Sequence, residues 1–159
     1  LDFDDLFQED FTLMGGEFES REELFTEVAT ILEQKDYVTP SFCEAIIERE
    51  KVFPTGLEMN GIVIAIPHTD TVHVKRPFVF VSQLRKPLDF IQMGTTDKGI
   101  AVEMVFVLGI CDPASQVPLL ASIMERFTQA QFIAGLREKQ SKEALIDFLK
   151  LQFGRMMKG

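Results

Sequence analysis

Residues 100–110 form an apolar run broken only by Glu103. A run this continuous has no polar face to give to water, so as a strand it must be central and covered on both sides. Helices have to supply both covers, and helical patterns do lie on each side of a strand-rich middle. Upstream, Ser20 followed by Glu23 makes a capping box. Leu24, Phe25, Val28, Ala29 and Leu32 then recur at helical spacing up to about Gln34. Thr39 as N-cap, with Pro40 at the first helical position, opens a second helix. It carries Phe42, Cys43, Ile46 and Ile47 on one arc and stops before Pro54. Downstream, helices are predicted over 116–127, 129–137 and 143–153, the first capped by Ser115 with Pro118 tolerated in its opening turn.

The remaining strands read from shorter runs. Phe11 to Met14 suits an edge strand, 62–66 a buried strand, and 78–84 and 88–91 a pair separated by a turn at Lys86-Pro87. Phe53-Pro-Thr-Gly56 reads as a turn, with a short link from there to residue 62 and a polar loop over 93–99. The expected architecture is a three-layer α/β/α sandwich with a mixed β-sheet. One domain spans 1–159 in this reading, with 1–19 poorly defined.

Charge narrows the function. The net charge of −9, from 16 basic and 25 acidic residues, argues against nucleic acid and against anionic membrane surfaces. No apolar stretch approaches the length of a membrane span, and neither direct membrane insertion nor a signal peptide is expected. Two cysteines, Cys43 and Cys111, suit buried reduced thiols, hence a cytoplasmic setting.

The run 62–66 ends at Pro67, and His68 follows, one of two histidines in the chain. Pro67 cannot donate to a ladder, so pairing is expected to stop there and leave His68 at the mouth of a sheet. A structural histidine is the ordinary alternative. The chain has no G-x-S-x-G elbow, no Walker A loop and no dinucleotide fingerprint. A histidine acting as its own nucleophile is then the economical chemistry. His68, Asp70 and His73 make H-x-D-x-x-H, a possible metal set and thus a hydrolase reading, although the segment lacks the helical HExxH arrangement. Arg49 projects near the apolar arc of the second helix, where it suits either an anion or plain solvent. His73 suits a surface loop or a role in orienting it.

Gly61-Ile-Val-Ile-Ala-Ile-Pro-His68 resembles the active-site signature of enzyme IIA domains of the fructose–mannitol class. These belong to the bacterial phosphoenolpyruvate-dependent sugar phosphotransferase system (PTS). Arg49-Glu-Lys-Val-Phe-Pro-Thr-Gly56 extends the likeness toward galactitol-type members, as does His73. The resemblance covers about residues 23–153. It implies that His68 takes a phosphoryl group from the phosphohistidine carrier HPr. His68 would pass it to a cysteine of a IIB partner and, through that partner, serve the membrane component IIC. The substrate would be galactitol or a related polyol. Arg49 would stabilise the phosphoryl group and His73 would support the loop. Gln116 stands where many members carry a second histidine and would donate one hydrogen bond, close to helix amides that favour an anion. No cofactor and no metal is implied. Ile66, Phe53 and Val72 are the residues expected to rim a small, transient docking surface. The alternative within the family is a regulatory protein, in which the phosphorylation state of His68 controls a transcription factor or kinase.

Overall fold

The computed structural model describes residues 3–158. Strands β1 (Thr12–Gly16), β2 (Gly56–Met59), β3 (Ile62–Ala65), β4 (Phe78–Ile91) and β5 (Gly99–Gly109) form one sheet in the order β1-β4-β5-β3-β2. The long apolar run is therefore the middle strand, as its pattern requires. It pairs antiparallel with β4 and parallel with β3, while β1 lies parallel to β4 and β2 antiparallel to β3. The sheet is mixed.

Alternation along the inner strands divides the core in two. Ile62, Ile64, Val79, Val81, Met104, Phe106 and Leu108 face one side, packed under α3 (Pro113–Arg126), α4 (Ala130–Glu138) and α5 (Lys142–Lys158). Ala65, Phe78, Phe80, Val105 and Val107 face the other, under α1 (Arg21–Gln34) and α2 (Phe42–Val52). This is the expected three-layer α/β/α sandwich. Residues 3–11, vague in the sequence, fold as two short 3₁₀ turns whose Phe3, Leu6 and Phe7 plug the first core and Phe11 the second. Among the described residues no helix is long and apolar enough to cross a membrane.

Four element boundaries differ from the pattern. The link before β3 is itself strand β2, joined to it by Asn60-Gly61, both at positive φ (52° and 85°), as a tight hairpin demands. The expected turn at Lys86-Pro87 is absent, and 78–91 runs as one strand. Its register breaks between Gln83 and Leu88, so the missing N–H of Pro87 falls where no ladder bond is needed. Helix α2 begins at Phe42 rather than Pro40, because the Thr39 N–H donates to the His73 carbonyl and its hydroxyl lies against Ser41 instead of the helix amides. Helix α3 begins at Pro113, capped by Asp112, whose Oδ1 accepts from Ala114 N–H at 3.0 Å. Gln116, expected as the first residue of this helix, thereby falls at the end of its first turn, and Pro118 in the second.

The close seam of β4 and β5 yields a test. Gly109 pairs with Phe78, and a Cβ at that position would land inside the buried Phe78 ring, whereas a Cβ on Gly99 meets nothing. Gly109→Ala is expected to lower stability by about 1–3 kcal/mol, the scale of overpacking. Gly99→Ala should stay within about 0.5 kcal/mol. Urea unfolding of both variants against the parent checks the difference.

Candidate functional site

Strands β3 and β5 run parallel, so the segments that follow them open at the same edge of the sheet, where open α/β sheets expose their loops. His68 stands there. The regular ladder ends at Ala65, but the chain is not yet released. The Pro67 carbonyl accepts from Leu108 N–H at 2.9 Å, and His68 makes an isolated parallel bridge with Leu108. Pro67 ends the strand and its own carbonyl renews the attachment. The backbone of His68 is thus held by the middle strand of the sheet.

The ring is oriented locally. Nδ1 of His68 lies 2.9 Å from the Ile66 carbonyl oxygen. A carbonyl can only accept, so Nδ1 carries the proton and Nε2 keeps its lone pair. The ring is half-buried, and desolvation of the imidazolium pushes its pKa below the ordinary histidine value. The bond to Ile66 opposes that shift, Arg49 reinforces it and Asp70 opposes it. The outcome is a neutral imidazole at neutral pH.

The two residues after His68 are gripped from both helical layers. Gln116, in the first turn of α3, donates Nε2–H to the Thr69 carbonyl at 3.3 Å. Arg49, in the last turn of α2, donates from Nη1 to Asp70 Oδ1 at 3.1 Å, and its guanidinium lies 5.0 Å from the centroid of the Phe53 ring. His73 is engaged elsewhere. Its Nδ1 is 2.8 Å from Ser41 Oγ and its carbonyl accepts from Thr39 N–H at 3.1 Å, which staples the end of the loop to the start of α2. His68, Asp70 and His73 therefore each have a different partner. Among the described residues no three His, Cys, Asp or Glu side chains come together as metal ligands would.

A cleft of about 320 Å³ opens beside the ring, lined by Val52, Phe53, Pro54, Thr55, His68 and residues 93–96. Ile66 does not belong to its rim. It is 1% exposed, because the alternation of β3 turns it into the core. Phe53 and Val72 are exposed as expected, and Val52 and Met93, which line the cleft with Phe53, are exposed too. Residues 93–96 were not legible as site residues, since a polar Gly-bearing loop carries no sign of where it packs.

Glu50, next to Arg49 in α2, also belongs to this end of the helix. It is buried, with Oε2 accepting from Thr55 N–H at 2.8 Å and Oε1 lying 2.5 Å from Thr55 Oγ1. These bonds tie the helix end to the turn that walls the cleft. Burial pushes the Glu50 carboxyl up to about 7, against the bonds from Thr55 and the charges of Arg21 and Arg49.

The chain is similar to known proteins along most of its length. The family model described as "Phosphoenolpyruvate-dependent sugar phosphotransferase system, EIIA 2" matches residues 5–152. The "PTS system galactitol-specific EIIA component" of Escherichia coli is 29% identical over 136 residues, 84% of this chain and 90% of that protein. The "Nitrogen regulatory protein homolog" of Haemophilus influenzae is 30% identical over 139 residues, 82% and 80% of the two chains. Among solved structures, the complex of the mannitol enzyme IIA with phosphorylated mannitol enzyme IIB from Escherichia coli shares the fold. Its TM-score is 0.69 at 21% identity, covering 88% of this chain and 94% of that one.

The two perturbed groups act on stability with opposite sign. The depressed pKa of His68 contributes stability that is present above the unfolded value of ~6.5 and lost as pH falls through the folded value. The raised pKa of Glu50 contributes stability that is full below 4.5 and lost as pH rises to about 7. Urea midpoints of the parent and Glu50→Gln, taken from pH 4.5 to 7.5, check the second effect. The parent should lose on the order of 3 kcal/mol relative to Glu50→Gln across that window. A constant difference would mean that Glu50 does not titrate there.

Proposed function

The chain belongs to the phosphoenolpyruvate-dependent sugar phosphotransferase system EIIA 2 family, and on that premise we propose that it is a phosphoryl carrier with His68 as the phosphorylated residue. One observation carries the proposal. Nδ1 of His68 is committed as a donor to the Ile66 carbonyl, so the neutral ring presents only Nε2 as a nucleophile. That is the form of imidazole that can attack phosphorus.

In the forward step the Nε2 lone pair attacks the phosphorus of the HPr phosphohistidine in line. The new Nε2–P bond forms as the carrier's N–P bond breaks, and the carrier's imidazole leaves with the electron pair. His68 retains its Nδ1 proton and takes on positive charge, which the Ile66 carbonyl shares. Onward transfer reverses these changes. A IIB cysteine thiolate attacks the phosphorus, the Nε2–P bond breaks, and the ring returns to neutral. Such chemistry asks the protein chiefly for position and charge compensation. Arg49 supplies the charge, a planar donor set suited to phosphoryl oxygens. Gln116 acts indirectly, by holding the backbone of Thr69 beside the nucleophile. His73 supports the far end of the loop. The exposed Val52, Phe53, Val72 and Met93 supply apolar contact for transient partners of small interface.

The likeness to a galactitol-specific component along 90% of that relative supports uptake of galactitol or a related polyol. IIB would be the acceptor, IIC the membrane component behind it, and the cytoplasm the place of action. The likeness to a nitrogen regulatory homologue supports a second reading, in which phosphorylated His68 controls a regulator. Transfer to a IIB protein separates the two.

Incubation with phosphoenolpyruvate, enzyme I and HPr is expected to add one acid-labile phosphate. Labelling should be lost in His68→Ala and kept in His73→Ala, and stoichiometric labelling of His68→Ala would overturn the assignment. Arg49→Ala should fold normally and transfer roughly a hundredfold more slowly, the scale of losing one charge-stabilising donor. Unchanged rates in both half-reactions would remove Arg49 from the mechanism.

A further inference from the structure

Asp70 is left over by the proposed function. It lies two residues after His68, is the acidic member of the H-x-D-x-x-H pattern, and its carboxylate takes a hydrogen bond from Arg49, whose charge acts on the ring. Its side chain is 78% exposed against 32% for Arg49. An exposed pair of this kind stabilises a fold by little. Its consequence lies in the reaction. Arg49 is held on one side by the Phe53 ring and on the other by Asp70 Oδ1. Both charges of the pair act on the His68 ring, Arg49 lowering its proton affinity and Asp70 raising it.

We propose that Asp70 is a positioning residue that competes with the phosphoryl group for Arg49 and thereby raises the tendency of phosphorylated His68 to give its phosphoryl group away. The inference rests on His68 being the phosphorylated residue. In the resting protein the carboxylate holds Arg49 in place beside the loop. Phosphorylation then adds close to two negative charges to a ring two residues from that carboxylate. Arg49 has five N–H donors in a planar fork, but its charge is single, and two anions must now share it. The Asp70–Arg49 pair is weakened and the carboxylate is left facing like charge. Both effects raise the energy of the phosphorylated state relative to the resting one. A carrier benefits from that. A phosphoryl group bound too firmly would be accepted and then retained, whereas a built-in competitor keeps the two states near balance.

Asp70→Asn removes the competing charge, while Asp70→Glu keeps it. The probe is HPr phosphorylated beforehand and freed of enzyme I and phosphoenolpyruvate, mixed with the full chain until the phosphoryl group is distributed at equilibrium. Asp70→Asn should shift the distribution toward the phosphorylated chain by roughly two- to fivefold, the range that an exposed ion pair spans. Its onward transfer to a IIB protein should slow in proportion. Asp70→Glu should restore most of the parent distribution. A residue that only shaped the loop would change the rate of approach to equilibrium and leave its position alone. An unchanged position in Asp70→Asn, or a shift toward free HPr phosphate, overturns the proposal while leaving the His68 assignment intact. Failure of the parent chain to take any phosphoryl group from HPr would instead remove the proposed function and this inference with it.

Discussion

The hydrogen bond from His68 Nδ1 to the Ile66 carbonyl is the interaction on which the site depends. It spans only two residues, so it needs the backbone on either side of Pro67 to be fixed. That backbone is fixed by the sheet. Ile64 and Ala65 pair with Met104 and Val105, and the Pro67 carbonyl accepts from Leu108. Ile66 itself is locked into one of the two cores, and Ala65 faces the other. The ring is therefore oriented by main-chain atoms that cannot move without disturbing the central strand. A ring held this way needs no carboxylate partner to choose its tautomer, because a carbonyl oxygen leaves no choice.

The three layers matter for the same reason. Arg49 comes from α2 on one cover and Gln116 from α3 on the other, and they meet only because the loop after β3 emerges between those covers. Neither has to reach far. Gln116 steadies Thr69, Arg49 engages Asp70, and the Ser41–His73 contact holds the end of the same loop. The exposed loop is thereby tied at three points, and His68 lines the cleft beside it. Access to the ring and rigidity of the loop that carries it, often in conflict, are met by separate elements.

Much of this was legible in the residues. A run such as 100–110 can only be central, and the capping box at Ser20 and Glu23 fixes the start of α1, where Ser20 Oγ accepts from Glu23 N–H. The placement of His68 after a β-branched run and a proline was likewise readable, because both signals are local. What escaped depends on tertiary context. Strand β2 is only four residues long, and its sign was the Asn60-Gly61 pair rather than its own pattern. Pro87 reads as a turn in isolation and becomes a strand irregularity only because β5 runs alongside. The cleft wall at residues 93–96 and the exact engagement of Glu50 with Thr55 follow from which loop meets which. No periodicity records that. Ile66 was misplaced for a simpler reason, since nearness to His68 in sequence does not override the alternation that buries it.

The proposed function requires that the sheet edge present Nε2 of His68, and no other atom, to phosphorus. Heteronuclear NMR of the imidazole nitrogens, before and after phosphorylation by HPr, tests it most directly. The resting ring should show a protonated Nδ1 and an unprotonated Nε2. After transfer, nitrogen–phosphorus coupling should appear at Nε2 while the Nδ1 proton persists. Coupling at Nδ1, or at His73, would contradict the account.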